Sequence, residues 1–185
     1  MSMEVRQIGA GIFAINDVLS KEECRNFIEQ SEREGYDIAT VKTEKGVKFI
    51  TEIRNNQRVL YKNDELAIKL WERVSSLVPP KIGNSVAVGL NELFRFYKYG
   101  HGQKFKKHVD ESFIRNDEEA SYYTFMIYLN EGYEGGETSF DEKIVKGQTG
   151  MALVFLHSLA HEGAEVLAGI KYVLRTDIMY RLQAE

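Results

Sequence analysis

Two hydrophobic periods organise the chain, and the period-two segments are the more telling. From Ser121 to Asn130, residues Tyr123, Phe125, Ile127 and Leu129 fall on one side of an extended chain and Tyr122, Thr124, Met126, Tyr128 and Asn130 on the other. The same split recurs over Leu93 to Tyr99, where Phe94 and Phe96 oppose Arg95, Tyr97 and Tyr99. It recurs near the end, where Tyr172, Leu174, Ile178 and Tyr180 oppose Lys171, Val173, Arg175, Asp177 and Met179. A strand face turned to water is usually rich in Thr, Ser, Lys and Glu rather than in Tyr and Met. The mixed faces are therefore expected to line a partly polar cavity, and the apolar faces to lie under helices.

Two helices are predicted to supply that cover. Ser20-Lys21-Glu22-Glu23 has the form of a capping box, Cys24, Phe27, Ile28 and Ser31 follow at helical spacing, and Gly35 is a stop. The second is expected to open at Asp64 and run through Leu66, Ala67, Leu70, Trp71, Val74 and Leu77 until Pro79-Pro80 ends it, with Trp71 in the core. Ile8 to Ile15 reads as one strand. Tyr36 to Tyr61 is polar and strand-like, with alternation around Val47-Lys48-Phe49-Ile50. Glu131 to Gly136 reads as a turn before a short strand Glu137 to Phe140, and Gly147 to Gly150 as a turn before a buried strand, Met151 to Leu156. No linker-like stretch interrupts this series, so the sheets should form one barrel or sandwich.

At 185 residues the chain suits one domain, with residues 1–90 as helical support and outer strands and residues 91–181 as the barrel core. A net charge of −4 gives no general reason to expect a nucleic-acid partner, although it leaves room for a local basic cluster. No apolar run is long enough to span a bilayer, so no membrane is expected. The single Cys24 excludes an internal disulfide and a thiolate zinc cage, and with no secretory start it fits a reducing, cytoplasmic setting. Cys24 itself reads as a small buried hydrophobe.

Candidate chemistry centres on Asn91 to Asp110, NELFRFYKYGHGQKFKKHVD, read as a strand, a turn at Gly100-His101-Gly102, and a second short strand ending in His108-Val109-Asp110. Residues two apart on an extended chain share a side, so His108 and Asp110 can offer a nitrogen and a carboxylate oxygen to one ion. Two histidines and one carboxylate on one octahedral face are what non-haem Fe(II) oxygenases use. His157 and His161 both follow the buried strand and either could complete the set. His161 is preferred, because it opens a chain reversal and Lys171 enters the last strand ten residues on, on the cavity side. An ammonium inside a pocket requires an anion for company.

His108-Val109-Asp110, His161 and Lys171 stand beside Tyr99-Gly100-His101-Gly102-Gln103-Lys104-Phe105 and Gly135-Gly136-Glu137-Thr138-Ser139-Phe140. Together they resemble the Fe(II)- and 2-oxoglutarate-dependent oxygenases of the prolyl 4-hydroxylase-like superfamily, over roughly Asn91 to Arg181. The resemblance implies a mainly β fold with flanking helices, a double-stranded β-helix of jelly-roll or cupin-like form. It implies Fe(II) held by His108, Asp110 and His161, and 2-oxoglutarate with its C5 carboxylate on Lys171 and Tyr99. Tyr128 and Thr124 match, more loosely, positions that line the cosubstrate pocket. Phe105 departs from the family, standing where many prolyl hydroxylases carry tyrosine.

The implied reaction couples oxidative decarboxylation of 2-oxoglutarate, using O2 and with ascorbate as reductant, to hydroxylation of an unactivated C–H bond. A prolyl or other amino-acid side chain, in a peptide or small molecule, is the expected substrate, and a monomer or weak oligomer the expected state. A non-catalytic cupin-like binding module for a small carboxylate or metal is the alternative, and a metal-dependent hydrolase or isomerase of cupin type, which would need no Lys171 in the pocket, is a third reading.

Three arginines are candidate substrate contacts. Arg54 and Arg58 flank Asn55-Asn56-Gln57 in a donor array suited to carboxylates or peptide groups, although the run reads more readily as a solvated hairpin or loop. Arg175 lies about 13 Å along the strand from Lys171, able to meet a substrate or an acid behind the metal, or else to stand with Asp177 as a solvent-facing pair at the barrel rim. His101 and His157 are read as turn and supporting residues, and Glu134 and Glu137 as loop charges.

Overall fold

The computed structural model describes residues 3–43, 46–48, 50 and 52–183. The alternation expected over Val47-Lys48-Phe49-Ile50 falls in part outside the described residues. In order, the chain forms β1 (Val5–Gly9), β2 (Ile12–Ile15), α1 (Lys21–Glu34), β3 (Asp37–Ile38), β4 (Val41–Thr43), β5 (Gly46–Lys48) and β6 (Gln57–Lys62). There follow α2 (Asp64–Val74), β7 (Lys81–Ile82), β8 (Ser85–Leu90), β9 (Leu93–Tyr99), β10 (Phe105–His108) and β11 (Glu119–Tyr128). The last third supplies β12 (Glu134–Gly135), β13 (Thr138–Phe140), β14 (Ile144–Val145), β15 (Ala152–Leu156), β16 (His161–Gly163), β17 (Val166–Ala168) and β18 (Lys171–Leu182).

A large antiparallel sheet runs β1-β2-β15-β11-β18-β9-β6-β3, with β8 also paired to β18. A smaller one, β10-β16-β13-β14, faces it. The period-two split decides how they meet. Phe94, Phe96, Tyr123, Phe125, Ile127, Leu129, Leu174, Ile178 and Tyr180 form one buried cluster with Cys24, Leu70 and Val74 of the helices. Tyr97, Tyr99, Met126, Tyr128 and Val173, from the opposite faces, pack with Phe140 and Val145 of the smaller sheet. The helices thus seal one face of the large sheet while the other looks into the space between sheets.

Three local expectations are corrected. Ile8 to Ile15 is a hairpin rather than one strand, because Gly11 takes φ +68° and turns the chain between β1 and β2. The cap of α2 is Asn63, whose side chain accepts from the Leu66 amide, and the helix stops at Val74, before Leu77. The strand expected over Ser121–Asn130 is Glu119–Tyr128, started earlier by pairing with Arg181. At α1 the capping box forms as read: Ser20 Oγ accepts from the Glu23 amide at 3.1 Å, Glu23 returns a bond to the Ser20 amide at 2.8 Å, and Gly35 closes the end. Among the described residues no helix is long and apolar enough to cross a membrane.

Candidate active site

The two sheets bring the distant histidines together. β10 and β16 are antiparallel neighbours whose register sets His108 opposite His161, and β13 sets Phe140 against His161 on the other side. His161 therefore sits in a short strand, where the sequence suggested only a reversal. Asp110 lies just beyond the end of β10, held by its amide donating to the His157 carbonyl at 3.0 Å. The ligating atoms of His108, Asp110 and His161 all lie within 4.8 Å of one another. His108 Nε2 is 3.7 Å from Asp110 Oδ1, and His161 Nε2 is 3.7 Å from Asp110 Oδ2.

The imidazoles are fixed by their other nitrogens. His108 Nδ1 lies 2.8 Å from the Lys106 carbonyl and His161 Nδ1 2.9 Å from the Leu159 carbonyl, so each Nδ1 carries the proton and each Nε2 turns a lone pair inward. Phe105 stacks on His108 at 3.5 Å between centroids, and Phe155 meets His161 edge-on at 4.5 Å. Burial, aided by His161, pulls His108 down to about 4, and burial also lowers His161, so both stay neutral. Burial alone would push the Asp110 carboxyl up. Arg175, His161, the Thr124 hydroxyl and His108 outweigh it and hold the group well below the usual carboxylate range. Two neutral imidazoles with free Nε2 lone pairs beside one ionised carboxylate are the donor set of a divalent iron site.

Lys171 lies in the same cavity, of about 330 Å³, as those three residues. It is 2 % exposed, and its Nζ donates to the Gly136 carbonyl at 2.6 Å over the rings of Tyr99 and Tyr128. Among the described residues no carboxylate lies within ion-pair distance of it. Burial draws the amine down to about 8, partly offset by the field of Glu137, a residue read from sequence as a loop charge. Tyr99, its partner across β9 and β18, lines the cavity. Tyr128 does not: it is fully buried, its hydroxyl 2.7 Å from that of Thr138, which does. Thr124 lines the cavity but spends its hydroxyl on Asp110, with the His157 Nδ1 at 3.0 Å.

The arginines are where sequence reading fell short. The Arg54–Arg58 run is no solvated hairpin. Arg54 is 6 % exposed, its guanidinium stacked on Phe105 and Tyr97 at 4.2 and 4.7 Å from the ring centroids, and both Arg54 and Arg58 line the cavity. Arg175 meets two acids, its Nη2 sitting 3.1 Å from both Asp110 Oδ2 and Asp177 Oδ1, while its Nε is buried without a hydrogen-bond partner. Arg95 and Tyr97 were missed as site residues, although their position on the mixed face of β9 was the available signal. His157 supports the site as expected, placed by Ser121 Oγ at 2.8 Å from its Nε2, while His101 is exposed on its turn.

A family model described as the 2OG-Fe(II) oxygenase superfamily matches residues 94–176, a segment that contains His108, Asp110, His161 and Lys171. No curated protein matches the chain. Among solved structures, a viral collagen prolyl hydroxylase from Paramecium Bursaria Chlorella virus-1, in its 2OG complex, is 21% identical. The alignment covers 94% of this chain and 98% of that one, with a TM-score of 0.66. A Pseudomonas putida prolyl-4-hydroxylase is 17% identical over 94% of each chain, TM-score 0.66. A Trichoplax adhaerens prolyl hydroxylase, in complex with a peptide fragment of the hypoxia inducible factor oxygen degradation domain, is 17% identical over 93% of this chain and 83% of that one, again at 0.66. The shared fold is the double-stranded β-helix. The family match over this segment of the barrel core, with a His-Asp-His cluster at its centre, supports a 2-oxoglutarate-dependent hydroxylase that uses Fe(II), 2-oxoglutarate and O2.

Proposed function

We propose that this enzyme hydroxylates an amino-acid side chain, with a prolyl residue of a polypeptide as the first candidate, and that His108, Asp110 and His161 hold the iron. The observation that carries the reading is one cavity containing both that cluster and Lys171, a buried ammonium with no carboxylate partner among the described residues. The substrate class is drawn from the neighbours, which are prolyl hydroxylases, one of them bound to a peptide.

Bound Fe(II), with 2-oxoglutarate and O2, supplies the oxidant for the C–H bond. The chain's own residues do the rest. His108 and His161 present Nε2 without having to lose a proton, because backbone carbonyls already fix the tautomer. Asp110 stays ionised through Arg175 and Thr124. Lys171 and Tyr99 receive the C5 carboxylate of 2-oxoglutarate, which gives the buried ammonium the counter-charge it lacks. The aromatic walls, Phe105 and Phe155, exclude water from the reacting end.

The test is succinate formation by the purified protein with Fe(II), ascorbate, 2-oxoglutarate and a panel of prolyl peptides and free amino acids, alongside calorimetric titration of 2-oxoglutarate. Turnover that disappears in His108→Ala is expected. Failure to bind 2-oxoglutarate with Fe(II) or Mn(II) present would sink the reading.

A further inference from the structure

Resting on the hydroxylase reading above, we propose that Arg54 and Arg58 form a receptor for a substrate carboxylate, so that the amino-acid unit hydroxylated carries or adjoins an acidic group.

Four guanidinium groups line the cavity, and they are not equally satisfied. Arg175 is paired with Asp110 and Asp177 at 3.1 Å, although its Nε is buried without a hydrogen-bond partner, and Arg95 is paired with Asp177 at 3.4 Å. Among the described residues, Arg54 and Arg58 have no carboxylate within ion-pair distance. Arg54 is held rigidly, its Nε donating to Asn56 Oδ1 at 2.7 Å and its guanidinium plane on Phe105 and Tyr97, yet its Nη2 is buried with no hydrogen-bond partner. A buried guanidinium nitrogen left without an acceptor is costly unless a ligand supplies one. Arg58 is half-buried, positioned by Nη2 donating to Thr40 Oγ1 at 3.3 Å.

The charge count points the same way. Among the described residues, Lys171 and the four arginines of the cavity are set against the carboxylates of Asp110, Asp177 and Glu111, which leaves two positive charges over, with Glu137 acting on Lys171 from outside the lining. Fe(II) and the 2-oxoglutarate dianion cancel each other, so the surplus survives loading of the site. The local field bears its mark: burial would raise the Tyr97 phenol, yet Arg175, Arg54 and Arg95 draw it down to about 8. Cavity size limits what brings the anion. About 330 Å³ is near the lower end for ligand pockets, and with 2-oxoglutarate at the Lys171 end it leaves room for one residue-sized group rather than a nucleotide. Arg forks fit carboxylates in bidentate fashion, which suits an Asp or Glu side chain or a free α-carboxylate.

The experiment uses the full chain loaded with Mn(II) and an inert 2-oxoglutarate analogue. It is exposed to an N-acetylated, C-amidated pentapeptide library with proline at the centre and random flanks, and the captured pool is sequenced. Separately, N-acetylproline and N-acetylprolinamide are titrated calorimetrically, which distinguishes an α-carboxylate from an acidic side chain. We expect at least tenfold preference for acid over amide in one arm: Asp and Glu over Asn and Gln in the library, or N-acetylproline over its amide. The preference should fall below threefold in Arg58→Gln, return in part in Arg58→Lys, and persist in Arg33→Gln, which removes an equal charge from α1. Arg54→Gln is the second variant, used if its melting curve shows a folded protein. Equal binding of acids and amides, capture of nothing in either arm, or undiminished preference in Arg58→Gln overturns the proposal. A site that takes up the 2-oxoglutarate analogue but shows no acid preference overturns only this inference; a site that takes up no analogue overturns the hydroxylase reading beneath it.

Discussion

Arg175 Nη2 lies 3.1 Å from Asp110 Oδ2, so the carboxylate assigned to the metal is anchored by a cation from the last strand. The pair is buried, with side chains 12 % and 11 % exposed, and Asp177 braces the arginine from behind. Removing one member of such a pair leaves the others uncompensated, at a cost of about 3–5 kcal/mol. Arg175→Gln is therefore expected to lower the melting temperature and, by freeing Asp110 to rotate, to weaken Mn(II) binding by about 10–100-fold. Unchanged metal affinity in a calorimetric titration would contradict the anchoring role.

Lys171 predicts a change of opposite sign. Its ammonium is buried against two aromatic rings and one carbonyl, so a methionine of similar length removes a desolvated charge. Lys171→Met should raise the melting temperature of the ligand-free protein while reducing 2-oxoglutarate affinity at least 100-fold. A variant that melts lower and still binds would refute both halves.

The same lysine sets a pH dependence. Its amine is drawn down to about 8 in the folded protein, against about 10.4 for an unperturbed lysine. Between these values the unfolded chain binds more protons, so the stability of the ligand-free protein rises with pH across that window, by about 3 kcal/mol at most, and is flat below it. For binding the sign reverses, since the dianion favours the protonated amine: 2-oxoglutarate affinity should be level below pH 8 and fall up to about tenfold per unit above it. Titrations from pH 6.5 to 9.5 check this, and Lys171→Met should abolish the slope.

Gly136 couples a turn to Lys171. Its carbonyl accepts the Lys171 bond, its φ is +68°, and an added Cβ would come within 2.9 Å of Val166 and 3.4 Å of the Lys171 side chain. Gly136→Ala is expected to cost about 1–3 kcal/mol of stability and to weaken 2-oxoglutarate binding, because strain there moves the carbonyl that aims Nζ. Ser20→Ala, which removes only the α1 cap, should cost about 1 kcal/mol and leave 2-oxoglutarate affinity unchanged.

Local chemistry made several parts of this protein readable from the chain alone. The capping box at Ser20, the two-faced strands around Phe94, Phe125 and Leu174, and the burial of Cys24 follow from side-chain period and backbone hydrogen bonding, which act over a few residues. The H-x-D spacing put His108 and Asp110 side by side for the same reason. Partners far apart in sequence were another matter. His161 faces His108 only because β10 and β16 pair in that register, and Arg175 reaches Asp110 only because β18 lies in the large sheet while β10 lies in the small one across from it. The run from Arg54 to Arg58 looked like a solvated hairpin or loop, since an Arg-Asn-rich run carries no local mark of burial; the rings of Phe105 and Tyr97 and the buried amide of Asn56 draw it inside. Short-range sterics and hydrogen bonding thus wrote the elements into the sequence, whereas long-range strand pairing, which no local period encodes, decided which charges share the cavity.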